Sequence, residues 1–299
     1  MTMMREKYPS WIKKTINPQS IPFVENTRSV LKKFKVKTVC DSAHCPNLNE
    51  CYGKSTATFM IMGDTCTRNC RFCSVNHGKP QKLDVLEPSR VAAAVEKLQL
   101  KHAVVTSVTR DDLEDYGVNH FVKTVIEIKT KKPDTVVEAL IPDFHAEKNL
   151  VEKLVSVGPE IIGHNLETVP ELHYQLKPES KYYASLTVLD MIKSCNPRIY
   201  TKSALMLGLG ENEHSVIQAM RDLREVKCDI VVLGQYLQPT EKQVEVKRYV
   251  EEEEFESYRE AARELGFLHI TAETFARSSY HADKFSDDFI PISRKTWVR

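Results

Sequence analysis

The clearest feature of the sequence is a regular alternation of short apolar runs and amphipathic windows between residues 58 and 272. Seven of the apolar runs are rich in β-branched residues and have the length of buried β-strands. The predicted strands cover residues 59–62, 103–107, 135–140, 161–164, 200–207, 230–234 and 269–272. Buried strands of this kind are typical of a parallel sheet that is covered by helices.

The windows between these strands carry apolar residues at helical spacing. One helix face is formed by Val91, Val95 and Leu98, and similar stripes start at Phe121 and Leu150. Three more helical windows cover residues 184–194, 213–226 and 252–265. The alternation predicts an α/β fold with right-handed parallel crossovers. Six such units are too few for a closed eight-stranded barrel, so a partial, open barrel or a doubly wound sheet fits better. Both place the active site at the carboxyl ends of the strands.

The pattern divides the chain into three predicted parts. A core of residues 58–272 follows an N-terminal extension, residues 1–57, that shows little periodicity and carries three cysteines. A C-terminal extension, residues 273–299, contains the run Arg-Ser-Ser-Tyr-His at positions 277–281 and ends in a basic tail. The acidic run at residues 251–254 is typical of the start of a solvated helix, where carboxylates favour the helix dipole.

Composition and charge narrow the functional classes. Lys plus Arg number 42 and Asp plus Glu number 41, which gives a net charge of +1 and no basic excess for nucleic acid or an anionic membrane. Residues 1–11 lack the apolar segment of a secretory signal, and no apolar run approaches the roughly 20 residues of a membrane-spanning helix. We therefore expect a protein of a reducing cytoplasm. Six of the eight cysteines fall between Cys40 and Cys73. In a reducing compartment, clustered cysteines indicate metal ligands rather than disulfides.

The first cysteine motif follows directly on the first predicted strand. Cys66, Cys70 and Cys73 have the spacing Cys-x3-Cys-x2-Cys on one short loop. Three thiolates can bind three irons of a 4Fe–4S cubane and leave the fourth iron open for the amino and carboxylate groups of S-adenosylmethionine (SAM). With the aromatic Phe72 before the last cysteine, the motif resembles the radical SAM signature. The alternative is a zinc loop that a distant histidine completes.

A second set of three cysteines lies in the N-terminal extension. Cys40, Cys45 and Cys51 have the spacing Cys-x4-Cys-x5-Cys. A fourth ligand is again missing, so the set is interpreted either as a second cluster site or as a three-cysteine zinc site that uses His44. The two remaining cysteines, Cys195 and Cys228, have no ligand spacing and are predicted to be ordinary thiols.

The two cysteine spacings in this order are similar to those of the lipoyl synthase family. The resemblance extends from about residue 9 to residue 282 and includes five segments. These segments are residues 57–70, 106–113, 164–169, 205–211 and 277–282. The chain departs from the usual family pattern at residues 113–117, 241–246 and 272–274, and none of these changes removes a predicted cluster ligand.

The resemblance implies a partial (β/α)6 barrel of radical SAM type, with both extensions over the barrel mouth, and two 4Fe–4S clusters. It implies that Ser279 is the fourth, non-thiolate ligand of an auxiliary cluster held by Cys40, Cys45 and Cys51. An alkoxide is a harder donor than a thiolate, so its iron is the natural place for this cluster to come apart. The implied reaction inserts two sulfur atoms from the auxiliary cluster into carbons six and eight of a protein-bound octanoyl chain, with two SAM molecules as radical source.

The resemblance also implies partners. The substrate is an octanoylated lipoyl carrier domain, of the glycine cleavage H protein or of a 2-oxoacid dehydrogenase E2 component. Reduced ferredoxin or flavodoxin supplies electrons, and iron–sulfur carrier proteins rebuild the cluster. Two other functions stay open: a radical SAM sulfur inserter that acts on a free small molecule, and a non-enzymatic zinc-binding protein.

Polar residues and glycines at the ends of three predicted strands are candidate SAM contacts. Thr106 and Ser107 end one strand, where many radical SAM proteins contact the amino group of SAM. Asn165 and Glu167 follow another strand and are placed to bond ribose hydroxyls. We expect Phe72 to contact SAM as well. The last candidates are Gly208 and Gly210, where the backbone could approach adenine closely. The neighbouring acidic loop at residues 110–112 is either a salt-bridged loop or part of the substrate rim.

Overall fold

A computed structural model describes residues 8–15 and 17–290 of the chain. The seven predicted strands are all present, each with bounds within one residue of the prediction. The described strands are β1 (Lys37–Thr38), β2 (Thr58–Ile61), β3 (Thr65–Cys66), β4 (Asn76–His77), β5 (His102–Ser107), β6 (Val136–Leu140), β7 (Ile161–Gly163), β8 (Tyr200–Leu207), β9 (Ile230–Gln235) and β10 (His269–Glu273).

The predicted helical windows are also helices, and further helices flank them. The described α-helices are α1 (Ile21–Phe34), α2 (Val39–Ser42), α3 (Leu48–Gly53), α4 (Glu87–Lys97), α5 (Val118–Lys131), α6 (Lys148–Val155), α7 (Pro170–Leu176), α8 (Tyr182–Cys195), α9 (Glu213–Glu225), α10 (Glu252–Glu264) and α11 (Ala282–Phe289). Two short 3₁₀ turns cover Pro18–Ser20 and Phe144–Ala146. Helix α10 begins within the acidic run, with Glu252, Glu253 and Glu254 in its first turn.

The main sheet has the strand order β1-β2-β5-β6-β7-β8-β9-β10. The strands from β2 to β10 pair in parallel, and β1 pairs antiparallel with the outer edge of β2. The inner strands of this sheet, β2 and β5 to β9, are buried on both faces, whereas the edge strands β1 and β10 are partly exposed. No pairing joins β1 or β2 to β10 among the described residues, which makes the α/β sheet an open one, as predicted.

Helix α11 covers the amino-terminal end of this sheet. Phe285 and Ile290 pack with residues at the starts of the strands: Val136, Ile161, Ile230 and Tyr200. The hydroxyl of Ser286 lies 3.0 Å from Nδ1 of His102, the first residue of β5. The C-terminal extension therefore contributes a helix that covers the amino-terminal ends of the strands.

The N-terminal extension is more ordered than its sequence pattern predicts. The expectation of little periodicity is wrong for α1, which buries Val24, Val30 and Leu31 against the core. None of the helices in the described part of the chain is long and apolar enough to cross a membrane. Of the segment predicted to lack a secretory signal, residues 1–7 lie outside the described residues. Residues 291–299, which include the basic tail, also lie outside them.

Candidate active site

A cavity of about 610 Å³ opens at the carboxyl ends of the strands. Thiols of both cysteine sets line it: Cys66, Cys70 and Cys73 of the later set, with Cys40 and Cys45 of the earlier set. The two sets, which are separate in the sequence, therefore face one shared space.

The later cysteine set sits on the loop that follows β2, and hydrogen bonds tie this loop to the next one. The Thr67 N–H donates to the Thr109 carbonyl at 3.0 Å. The Cys66 Sγ accepts two backbone N–H groups, those of Arg68 at 3.4 Å and Thr109 at 3.3 Å. The amides are thus already directed at the sulfur of one predicted cluster ligand.

The side chain of Arg68 lies inside this loop and is buried. Its guanidinium makes paired hydrogen bonds to Asp111, at 2.8 and 2.9 Å, and to Asp143, at 2.6 and 2.8 Å. Asp111 therefore belongs to a salt-bridged loop, and Arg110 pairs in the same way with Asp112 at 2.8 Å. Burial alone would raise the pKa of Asp143, but the hydrogen bond from Arg68 holds it well below its usual range.

The earlier set lies on α2, α3 and the loop between them, beside the C-terminal segment: Cys40 is in α2, Cys45 in the loop and Cys51 in α3. A small cavity of about 20 Å³ is lined by Cys40, Cys45, Cys51 and Ser279 together with Arg277. The structure thus brings the serine beside three cysteines that are more than 200 positions away. Its hydroxyl accepts a hydrogen bond of 2.7 Å from Thr58 Oγ1.

Three contacts hold the C-terminal segment on the N-terminal extension. Asn47, which is buried, donates from Nδ2 to the Phe275 carbonyl at 2.8 Å. The hydroxyl of Tyr280 lies 3.0 Å from both carboxylate oxygens of Glu50. Although burial alone would raise the pKa of Glu50, hydrogen bonds from Lys14, Lys54 and Tyr280 lower it to about 2. This carboxylate is therefore charged and a strong acceptor at neutral pH.

Burial raises the pKa of four of the cysteine thiols. It reaches about 11 for Cys40 and Cys73 and about 12 for Cys51 and Cys70. Neighbouring cysteines raise the pKa further within each set, because thiolates close together repel one another. Without a cation these thiols are protonated at neutral pH, so iron binding must displace their protons.

Four of the predicted SAM contacts meet at the same wall of the cavity. Thr106, Ser107, Asn165 and Glu167 all line it. The Ser107 hydroxyl is buried without a hydrogen-bond partner in the described part of the chain. Asn165 Nδ2 donates to Glu167 Oε1 at 3.1 Å, and burial raises the pKa of Glu167. Phe72 lines the cavity as well.

The two glycines lie differently. Among the described residues that line the cavity, Gly208 and Gly210 are absent. Both have positive φ, +96° and +116°, and a Cβ on Gly208 would come within 2.4 Å of the Arg248 carbonyl oxygen. Their conformation explains why glycine is needed here, and it gives no support to the predicted approach to adenine.

Sequence reasoning missed Lys177, which caps the C-terminus of α7. It is buried and lines the cavity, and its ammonium group makes no hydrogen bond or ion pair with the described residues, 8–15 and 17–290. Its charge acts on Cys70 and Glu167, whose pKa values it lowers against the effect of burial. A buried cation that faces a cavity without a partner indicates a site for an anionic group of a ligand.

The cysteines line these walls rather than meet at a point. Within the described ranges, no three Cys, His, Asp or Glu side chains converge closely enough to hold a single metal ion. His44, the ligand of the alternative zinc site, lies with Nδ1 3.3 Å from the Ser74 hydroxyl.

Comparison with known proteins decides between the interpretations. The family model of the Radical SAM superfamily matches residues 60–223. The chain is 48% identical to lipoyl synthase of Caldanaerobacter subterraneus subsp. tengcongensis over 280 residues, which cover 94% of this chain and 97% of the relative. It is 46% identical to lipoyl synthase of Caldicellulosiruptor saccharolyticus over 282 residues, with 94% and 98% covered.

The chain belongs to the lipoyl synthase family. It is accordingly a radical SAM enzyme of lipoyl synthesis that uses SAM and two 4Fe–4S clusters. The donor set fits these groups, because six cysteines and one serine lie in two sets on two cavities that share Cys40, Cys45 and Ser279 in their lining. The unpaired Ser107 hydroxyl and the Lys177 cation are suited to a zwitterionic ligand such as SAM.

Solved structures support the fold of the chain. Methylornithine synthase matches with a TM-score of 0.54 at 14% identity, over 84% of this chain and 82% of that one. Streptococcus suis SuiB bound to the precursor peptide SuiA matches with a TM-score of 0.56 at 12% identity, over 89% and 57%. At these identities the likeness concerns the fold alone.

Proposed function

We propose that this chain inserts sulfur at carbons six and eight of an octanoyl chain on a lipoyl carrier protein. The observation that carries the proposal is the cavity that both cysteine sets line. The reaction needs such a cavity, because the carbon from which the radical removes hydrogen must also lie next to the sulfur donor. When bound, SAM and its cluster supply a 5′-deoxyadenosyl radical for hydrogen removal, and the auxiliary cluster supplies both sulfur atoms as a substrate.

On the SAM side, Cys66, Cys70 and Cys73 are proposed to hold the cluster that cleaves SAM. Lys177 is placed to bind the SAM carboxylate, while Asn165 and Glu167 face the cavity as hydrogen-bonding partners for ribose hydroxyls. The further contacts assigned on this side are Phe72, Thr106, Ser107, Gly208 and Gly210. Of these residues, Gly208 and Gly210 do not belong to the described lining of the cavity.

On the auxiliary side, Cys40, Cys45 and Cys51 are proposed to hold the second cluster with Ser279 as fourth ligand. The serine is brought there by the contacts of two residues near it in the chain, Phe275 with Asn47 and Tyr280 with Glu50. Because oxygen is a harder donor than sulfur, the serine-bound iron is the one that is lost most easily.

The lining of the cavity is largely apolar. Its apolar members include Ile12, Val39, Val75, Leu140 and Phe275, and such a lining suits an alkyl chain. An octanoyl chain has unactivated C–H bonds, which no side chain can deprotonate. The reaction therefore depends on holding the chain still beside SAM rather than on a general base.

The proposed carrier is a glycine cleavage H protein or an E2-type lipoyl domain. Reduced ferredoxin or flavodoxin is the proposed electron donor, and iron–sulfur carrier proteins rebuild the auxiliary cluster. The six thiolate ligands favour a reducing cytoplasm. Residues 1–57, 58–272 and 273–299 act as auxiliary-cluster extension, radical SAM core and serine-bearing extension.

Two triple variants test this division of labour. Replacement of Cys66, Cys70 and Cys73 by Ala should abolish SAM cleavage, because no cluster remains to donate the electron. Replacement of Cys40, Cys45 and Cys51 should spare SAM cleavage and abolish lipoyl formation. Both are measured anaerobically with an octanoylated carrier protein, by mass spectrometry of 5′-deoxyadenosine and of the lipoyl product.

Metal analysis gives an independent check. The reconstituted wild-type enzyme should contain roughly eight iron and eight sulfide per chain, and each triple variant about half. Lipoyl product from the Cys40, Cys45 and Cys51 variant would show that the auxiliary cluster is not the sulfur source. A value near four irons with bound zinc in the wild type would contradict the two-cluster assignment.

A further inference from the structure

The Arg68 side chain joins two loops of the active site that are distant in the sequence. It lies between Cys66 and Cys70, its side chain is 7% exposed, and it bonds Asp111 through Nε and Nη2 and Asp143 through Nη1 and Nη2. We call the three residues the Arg68 clamp. A guanidinium fork that fills two carboxylates at once has a fixed orientation, unlike a single flexible ion pair.

The clamp lies beside the hydrogen bonds on the Cys66 sulfur. One of those bonds comes from the Arg68 amide, and the other comes from Thr109, two residues before Asp111. The Thr67 hydroxyl lies 3.1 Å from both the Thr109 carbonyl and the Asp111 carboxylate. The clamp thus fixes both peptide groups that donate to this one sulfur.

The Asp143 end of the clamp is held in an unusual backbone turn. Phe144, His145 and Ala146 all have positive φ, 42°, 52° and 55°. The left-handed conformation is unfavourable for residues other than glycine. The turn is retained because Phe144 is buried edge-on against Phe121 and the His145 amide donates to Asp143 at 3.1 Å. A strained turn that orients one carboxylate indicates a functional constraint.

We propose that the Arg68 clamp is a positioning device that sets the reduction potential of the SAM-binding cluster by holding two amides on the Cys66 sulfur. The inference rests on the proposed assignment of Cys66 as a ligand of that cluster. An N–H group directed at a ligand sulfur stabilises the more negative, reduced cluster, so it raises the potential. Loosening the clamp therefore lowers the potential and makes reduction before SAM cleavage harder.

The sharpest variant is Arg68→Lys, because it keeps the charge and removes the fork. The holoenzyme is poised at a series of potentials, and electron paramagnetic resonance records the cluster signal at each one. The signal that changes when SAM is added belongs to the SAM-binding cluster. We expect that signal to appear at a lower potential than in the wild type, with iron content unchanged. SAM cleavage with a mild reductant should fall by about 10–100-fold. The auxiliary cluster serves as internal reference, and its potential should not move.

A second variant separates geometry from charge. Asp143→Asn removes a negative charge, which by itself would raise the cluster potential, whereas loss of the amide bonds would lower it. We expect a lower potential, and a raised potential would overturn the inference. The matched control is Asp112→Asn, which removes the carboxylate next to Asp111 that pairs with Arg110 instead. Because it removes a charge without touching the clamp, its potential should stay at or above that of the wild type.

The outcomes distinguish this inference from the proposed function. An Arg68→Lys enzyme with a full SAM-responsive cluster and an unchanged potential refutes the clamp and leaves the ligand assignment intact. A SAM-responsive signal that survives replacement of Cys66, Cys70 and Cys73 refutes the assignment itself. If Arg68→Lys loses iron, Asp143→Asn decides by the sign of its shift.

Discussion

The two cysteine sets differ in how the chain holds them. Cys66, Cys70 and Cys73 lie on one loop, which buried charge pairs anchor to the neighbouring loop. The auxiliary set is assembled from two short helices and a segment from the far end of the chain, joined mainly by the hydrogen bonds of Asn47 and Tyr280. The difference matches the proposed roles, because one cluster must survive each turnover and the other must come apart.

The largest expected effect follows Ser279→Ala. Three thiolates remain, so a cluster still assembles, iron content changes little and SAM cleavage persists. Lipoyl formation should fall about 100-fold, because the displaceable ligand is lost. Ser279→Cys should hold iron firmly and also release sulfur poorly. Mass spectrometry of the carrier protein measures lipoyl formation. A Ser279→Ala enzyme with normal lipoyl output would show that the serine only shapes the turn.

Lys177→Met should affect only the SAM side. A charge-assisted hydrogen bond contributes about 1.5–3 kcal/mol, which corresponds to roughly 10–150-fold in the Kd for SAM. Equilibrium binding measures it, and the auxiliary cluster should be unaffected. The matched control is Lys181→Met, four residues on and exposed, which should bind SAM like the wild type. Equal Kd values for both variants would remove Lys177 from the site.

Asn47→Ala should loosen the auxiliary side alone. The Phe275 carbonyl loses its buried donor, which costs about 1–3 kcal/mol. We expect an iron chelator to strip four irons several-fold faster, while the SAM-responsive signal decays at the wild-type rate. Asn49→Ala, two residues on in α3, is the control. Equal acceleration for both clusters would mean that Asn47 supports the whole fold rather than this segment.

The smallest effect is expected for Tyr280→Phe, which removes one hydroxyl from a partly exposed pair. About 0.5–1.5 kcal/mol is at stake, so chelation of the auxiliary cluster should accelerate by a factor of a few. A double-mutant cycle with Glu50→Gln isolates the contact. Additive effects of the two variants would show that the Tyr280–Glu50 pair does not hold the segment.

Local patterns were enough to predict most of the fold. The seven core strands are apolar runs bounded by turns, so each was placed within one residue. Helices α1 and α11 were not predicted, because they lie in the extensions. Helix α1 packs on the core and α11 on the amino-terminal ends of the strands, and composition does not reveal these contacts. The cysteine spacings indicated the two cluster sites, but the resemblance alone pointed to Ser279.

The supporting residues could not be predicted because their partners are distant. Arg68 and Asp143 stand 75 positions apart, and neither belongs to a spacing motif on its own. A hint was present, since an arginine on a ligand loop needs carboxylate partners once the fold buries it. Lys177 had no such hint, because a lysine after a helix is ordinary until the fold buries it.

The late position of the serine segment has a consequence for biosynthesis. Asn47 and the Phe275 carbonyl that it binds are 228 positions apart. At roughly 5–20 residues per second, a ribosome needs on the order of 10–50 s to make the intervening chain. The early cysteines emerge first and wait as thiols until Phe275, Ser279 and Tyr280 have been made. A chain that stops before Phe275 would lack the proposed serine ligand and both contacts that position it, so it could not complete the auxiliary site.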